Sequence, residues 1–162
     1  MSMNLIVLAC LVLAILSALV GSILLAFSDF LMRGLALARP AGGIEAMQGI
    51  NQTVMRSVFL AAFIVLLPAV YALAAYALFN LSGMTQALIF AGAMIYLVTV
   101  FLVTAFGNVP MNKRLAGYDP QDLDGQAYWQ HYLVRWTGLN HWRAAGALAT
   151  SACFAIAAWM LA

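Results

Sequence analysis

The sequence predicts an all-α membrane protein: a bundle of four transmembrane helices with a short amphipathic cytoplasmic helix before the fourth span. Three observations carry this. Hydrophobic residues make up 66% of the chain, and the mean hydropathy is +1.00. Every Asp, Glu, Lys and Arg lies in one of two stretches, Asp29 to Arg56 and Lys113 to Arg143. The rest forms three uncharged blocks, 1–28, 57–112 and 144–162. A charged side chain at the bilayer centre costs about 2.5–3.5 kcal/mol on insertion scales. Confining charge in this way suits a chain that lives in lipid.

A span needs roughly 20 apolar residues. The first block holds one, near 4–27. It lacks a basic leading region, and its apolar run is longer than a signal peptide's, so it reads as a permanent span. The block 57–112 is too long for one crossing, and Asn80-Leu81-Ser82-Gly83-Met84 divides it with turn-forming residues. It gives two spans, near 58–79 and 85–106, and a fourth follows near 140–161. Residues 1–162 then make one four-helix membrane domain, with no room for a second soluble one. Cys10 and Cys153 sit inside apolar spans and read as small packing residues.

Between the first two spans, Asp29 and Arg33 are four apart and can pair at the end of the first helix. Arg39-Pro40-Ala41-Gly42-Gly43 ends that helix. A second helical stretch, 44–52, follows, with Gln48, Asn51, Gln52 and Met55 on one stripe facing the bundle mouth. Pro68 should bend the second span. The third ends at Gly107-Asn108, and Pro110 opens a new short helix. Asp119-Pro120 starts the amphipathic helix, which runs to about Leu139. If that helix continues through Gly138, Trp129, Leu133, Trp136, Asn140 and Arg143 share a stripe about 80° wide, at ~100° per residue. Ala147, Ser151 and Phe154 extend it into the fourth span, while His131, Arg135 and Trp142 lie on another face.

All seven Lys and Arg fall in the two charged loops, and the turn at 80–84 has none. The positive-inside rule places both loops in the cytoplasm and both termini outside. The pI near 8.7 reflects this asymmetry and gives no reason to expect nucleic acid as a partner.

Nearly every group able to bind a ligand or move a proton gathers at that one mouth: Asp29, Arg33, Gln48, Asn51, Asn108, Asn112, Trp136, Asn140, His141 and Arg143. Each type has an ordinary structural use. Amides cap helices and bond across bundles, Trp forms interfacial belts, and Arg snorkels. As a set they exceed what four helix ends require. Metal binding has little support, because a zinc site needs three or four ligands. His131 and His141 are ten apart on different faces, and no Cys lies near them. They also belong to one segment, which disfavours a haem held between two histidines. No nucleophile elbow, phosphate-binding loop or dinucleotide fingerprint is present. Asp29, Glu45 and His141 remain as acid–base candidates, with His141 best placed by its intrinsic pKa.

Three segments, taken in order, carry a resemblance. They are Glu45-Ala-Met-Gln-Gly-Ile-Asn51, Asn108-Val-Pro-Met-Asn112-Lys-Arg-Leu115, and Trp129 through Trp136-Thr-Gly-Leu-Asn140-His-Trp-Arg143. Their order and spacing resemble the anthrone-oxygenase-like family of four-helix membrane proteins, whose bacterial members are mostly a domain of unknown function. Some fungal members are associated with oxidation of anthrones to anthraquinones. That reaction inserts oxygen at a methylene flanked by aromatic rings, and the substrate carbanion can react with O₂ without metal or flavin. The resemblance therefore implies a cofactor-independent oxygenase for a planar, hydrophobic, anthrone-like or phenolic molecule in a bacterial inner membrane. It assigns Arg143 to the substrate anion, with Asn108, Asn112 and Asn140 beside it. Trp136 would stack on the flat rings, Gln48 and Asn51 would line the mouth, and His141 or Asp29 would take the proton. The alternative is a non-catalytic bundle that binds a lipid or quinone or serves a larger complex. Expected partners are membrane lipid and a hydrophobic small molecule, and homo-oligomerisation stays open.

Overall fold

The computed structural model describes residues 3–162, which are helical nearly throughout and contain no strand. Five helices follow in order: α1 (Met3–Ala36), α2 (Pro40–Val54), α3 (Val58–Asn80), α4 (Gly83–Ala116) and α5 (Leu123–Leu161). All but α2 are long and apolar enough to cross a membrane. The four-span, all-helical expectation therefore holds.

Over Met3–Ala26 helix α1 is apolar nearly all round, and small or compact residues mark its packing face: Cys10, Ala14, Ser17 and Gly21 are buried there. That face meets α5, where a Cβ at Gly21 would stand 3.2 Å from Ala147. Helix α4 approaches α5 from the other side through Gly92, Gly107 and Gly146. Lipid gives helices no hydrophobic reason to associate, so close contact through small residues does the work. Ser57 caps α3 by accepting the Leu60 N–H at 3.1 Å. The α3–α4 turn uses Gly83 at φ 66°, a left-handed conformation that suits glycine.

Two helices run longer than the sequence suggested. A break was expected at Gly107-Asn108, with a fresh helix at Pro110. Instead α4 continues to Ala116 through two wide π-helical stretches, Tyr96–Leu102 and Thr104–Asn108. A proline ring normally strikes the carbonyl four residues back, and the wide turn just before Pro110 opens the ladder at that place. Likewise no separate amphipathic helix precedes the fourth span. Its residues are the first half of α5, which runs 39 residues without a break. Gly138 costs a helix only about 1 kcal/mol, and the flanking residues Trp136 and Asn140 are firmly packed. Pro68 likewise sits inside an uninterrupted α3.

The two charged loops meet at one end of the bundle. The Gln48 amide on α2 donates to the carbonyls of Leu115 and Tyr118, both at 3.0 Å. Beneath α2, Met32, Ile44, Met47, Leu115, Trp129 and Tyr132 form a compact secondary core. Gly43 allows α2 to lie flat there, since a Cβ would come within 2.9 Å of the Trp129 ring.

The α4–α5 crossing yields a direct test. A methyl at Gly146 would overlap the Thr99 hydroxyl, which is already committed to the Ile95 carbonyl at 2.7 Å. Gly146→Ala should cost about 1–3 kcal/mol by overpacking. Gly138→Ala faces open space and should be neutral or stabilise by up to ~1 kcal/mol. Unfolding in mixed micelles, followed by circular dichroism, separates the two. Equal midpoints would contradict the tight crossing.

Candidate functional site

Halfway along α5, one carboxamide ties α5 to α1. Asn140 is fully buried. Its nitrogen donates to the Leu24 carbonyl at 2.6 Å and to the Ser28 hydroxyl at 2.7 Å, both on α1. Its oxygen accepts from the Arg143 guanidinium at 2.8 Å. The wide π-helical turn Phe27–Leu31 brings Ser28 inward.

One turn nearer the charged end, Asn112 organises the aromatic wall. Its oxygen accepts from the Tyr132 hydroxyl at 2.7 Å and from the Trp136 indole N–H at 2.8 Å. An indole nitrogen only donates, so the oxygen of Asn112 must face Trp136. Its amide nitrogen is then the group left to face a ligand. Trp129, Tyr132 and Trp136 stack in series, with centroids 5.5 Å and 5.7 Å apart, and Phe27 meets Trp136 edge-on at 6.1 Å. Asn108, 1% exposed, donates to the Trp136 carbonyl at 3.2 Å and keeps its own oxygen unpaired.

Two cavities adjoin this network. The smaller, about 340 Å³, lies where all five helices meet, and Trp136, Asn140, Asn51 and Phe27 line it. The larger, about 690 Å³, runs between α3 and α4 past Phe63, Ile64, Phe101, Ala105 and Asn108. Asn51, Asn112, Phe59, Val54 and Arg143 line both. Helices α3 and α4 pack against each other from their shared turn to about the first π stretch and part beyond it. That parting opens the larger cavity sideways, where Ile64 is exposed.

Arg143 decides the electrostatics. It is only 6% exposed, yet the one ion pair among the described residues is Asp29–Arg33. Its Nε has no hydrogen-bond partner, and its guanidinium carbon sits 6.0 Å from the Phe63 ring centre. Phe63 is itself steadied by the Tyr96 hydroxyl, which donates to its carbonyl at 2.9 Å. No Asp, Glu or His lines either cavity, and the larger also has Lys113. The surfaces that meet there thus offer N–H donors and positive charge: Arg143, the Asn112 amide and the unpaired Asn51 amide. The arrangement can hold and stabilise an anion on an apolar body. It offers no carboxylate or imidazole to take a proton. Among the described residues no three His, Cys, Asp or Glu side chains gather.

Seven of the residues singled out in the sequence come together here: Gln48, Asn51, Asn108, Asn112, Trp136, Asn140 and Arg143. Three of them are bound to backbone carbonyls of other segments, Asn140 to Leu24, Asn108 to Trp136 and Gln48 to Leu115 and Tyr118. They position neighbours. The structure does not bring His141 and Asp29 to the site. His141 is exposed and lines neither cavity, because two helical steps of ~100° turn it away from Arg143. Asp29 points outward, its side chain 63% exposed, in its pair with Arg33. Sequence reading missed Tyr132, Ser28, Phe59 and Phe63. Tyr132 carried a signal, since Tyr128, Tyr132 and Trp136 repeat every fourth residue. The other three are ordinary members of apolar runs.

A family model described as Anthrone oxygenase matches residues 49–153, from α2 into the last third of α5. The matched stretch contains Asn51, Asn108, Asn112, Trp136, Asn140 and Arg143. No curated protein and no solved structure matches the chain. Since the match takes in well over half of the chain, the protein belongs to the anthrone oxygenase family.

Proposed function

We propose that this protein is a membrane oxygenase that oxidises a planar, hydrophobic, anthrone-like or phenolic substrate with O₂, using no metal or flavin. The observation that carries the reading is the buried Arg143 guanidinium, without a carboxylate partner, on the wall shared by two apolar cavities. A buried cation costs several kcal/mol when it lacks a counter-ion. A bundle that only packs has no use for one, whereas a site for a developing oxyanion does.

In this reading the substrate lies with its rings against the Trp136 wall and its ketone oxygen toward Arg143 and the Asn112 amide. Loss of a proton from the activated methylene puts negative charge on that oxygen, where the donors stabilise it. The carbanion's electron pair forms a C–O bond to O₂, and the resulting peroxide takes up a proton. Loss of the remaining methylene hydrogen with cleavage of the O–O bond leaves a second ketone and one water. With no imidazole or carboxylate in the cavities, water takes the first proton, and the protein's part is to make the methylene more acidic. The sideways opening between α3 and α4 suits a substrate dissolved in the bilayer.

We place the protein in a bacterial inner membrane with both charged loops cytoplasmic and both termini outside. Alkaline phosphatase fused after Ser82 should then be active in intact cells, and the same fusion after Gly42 inactive. The reverse pattern would invert the assignment.

Arg143→Met should lower oxygen uptake with an anthrone by about 10²-fold or more, the usual cost of losing an oxyanion donor. Its unfolding midpoint should stay near the parent's, because removing an unpaired buried cation offsets the lost Asn140 contact. A variant that unfolds yet keeps its specific activity would reassign Arg143 to structure. His141→Gln should retain activity within about twofold. The parent and this variant should share one pH–rate profile, rising through the substrate's ionisation. An inflection lost in the variant would make His141 the base.

A further inference from the structure

Away from the cavities just described, the outer face of the α4–α5 pair carries a groove of about 590 Å³. None of its lining residues touches the other two cavities. Along α4 its floor is Val98, Leu102, Phe106 and Pro110, at every fourth position, and along α5 it is Leu139, Arg135 and His131, at the same interval in the opposite direction. Gly107 deepens it, since a Cβ there would come within 2.9 Å of Leu139.

The groove is polar at one end only. His131 and Arg135 are exposed, stand one turn apart, and take part in no ion pair among the described residues. The His131 ring lies 5.9 Å from Tyr128, whose hydroxyl donates to the Met111 carbonyl. This anchors the cationic end beside the start of the α4–α5 loop, at the charged end of the bundle. Toward the opposite end the lining is wholly apolar, with Phe106 81% and Val98 49% exposed. From Pro110 to Val98 the helix covers at most about 18 Å, since the α-helical rise of about 1.5 Å per residue is an upper bound for this largely π-helical stretch. One leaflet's hydrocarbon is about 15 Å deep, half of a ~30 Å core.

A cation, Arg135, beside a hydrogen-bonding imidazole at the headgroup level, above an apolar channel about one leaflet long, matches an anionic amphiphile in charge and in length. We propose that this groove binds an anionic phospholipid, its phosphate on Arg135 and His131 and one acyl chain along Val98, Leu102 and Phe106. Zwitterionic lipids bring a cation to the same place and fit less well.

The test uses the full chain in detergent micelles, with phosphatidylglycerol or phosphatidylcholine added at equal amounts and retained lipid counted by native mass spectrometry. The parent protein should retain phosphatidylglycerol at least 10-fold better than phosphatidylcholine. His131→Gln combined with Arg135→Gln should reduce that preference to about twofold or less. Both positions are exposed, so the fold should survive. Arg56→Gln, another exposed cation that lines none of these cavities, should leave it unchanged. Leu102→Trp, which fills the channel, should weaken retention of both lipids. Equal retention of the two lipids by the parent would overturn the proposal, as would an equal loss with Arg56→Gln. So would competition by inorganic phosphate at the lipid's concentration, which marks a free-anion site. Dimers that dissociate only in the double variant would assign the groove to a second copy of the chain instead.

Discussion

An amide buried in an apolar bundle has to find its partners inside the protein, because lipid offers none. Asn140 meets this constraint in a way that fixes much else. Its nitrogen reaches across to α1, at Leu24 and Ser28, and its oxygen orients Arg143. The helix crossing and the direction of the guanidinium are thus settled by one side chain. Asn112 and Gln48 do the same near the charged end. The first orders the aromatic wall and the second holds α2 against the ends of α4. Carboxamides suit this work because each offers donors and an acceptor without a net charge to desolvate.

Satisfaction is not complete, and where it fails is informative. Asn51, Asn108 and Arg143 each keep a buried polar atom without a partner, and all three line the cavities. Such an atom costs about 1–3 kcal/mol, so the bundle carries this cost from its packing elsewhere. Ser17 and Thr137 also have unpaired hydroxyls and line none of these cavities. Lack of a partner is therefore not a mark of function by itself. It becomes one when several unpaired groups, donors dominating, converge on a space large enough for a molecule.

The spans were legible in the sequence because charge exclusion is a property of residue type alone. The convergence of Trp136, Asn140 and Arg143 was legible because a regular 100° step needs no tertiary knowledge. Gln48 and Asn51 followed from the same arithmetic on α2. Two of the failures share a cause as well. At Phe27–Leu31 and Thr104–Asn108 the helices take wide turns, and a constant step cannot foresee them. A wide turn set Ser28 inward with Asp29 outward, and another carried α4 past Gly107 and Pro110. His141 is a different case. Its chemistry made it attractive, but its step from Arg143 already pointed to another face, and geometry overruled chemistry.

The family match leaves α1 out, although α1 forms the broadest interface with α5. Its part in the site explains how little sequence that role needs. Leu24 contributes a backbone carbonyl, which any residue could supply at that depth. Ser28 adds one hydroxyl, and Ile23 and Phe27 add apolar wall. Size is constrained mainly where helices touch, as at Gly21 against Leu148. Apart from Gln48, one residue before the match, the side-chain N–H donors that line the cavities belong to α2, α4 or α5 inside the matched stretch. The chain thus divides its labour physically. One helix braces the bundle through a backbone carbonyl, one hydroxyl and apolar surface, and the others carry the side chains whose chemistry is specific.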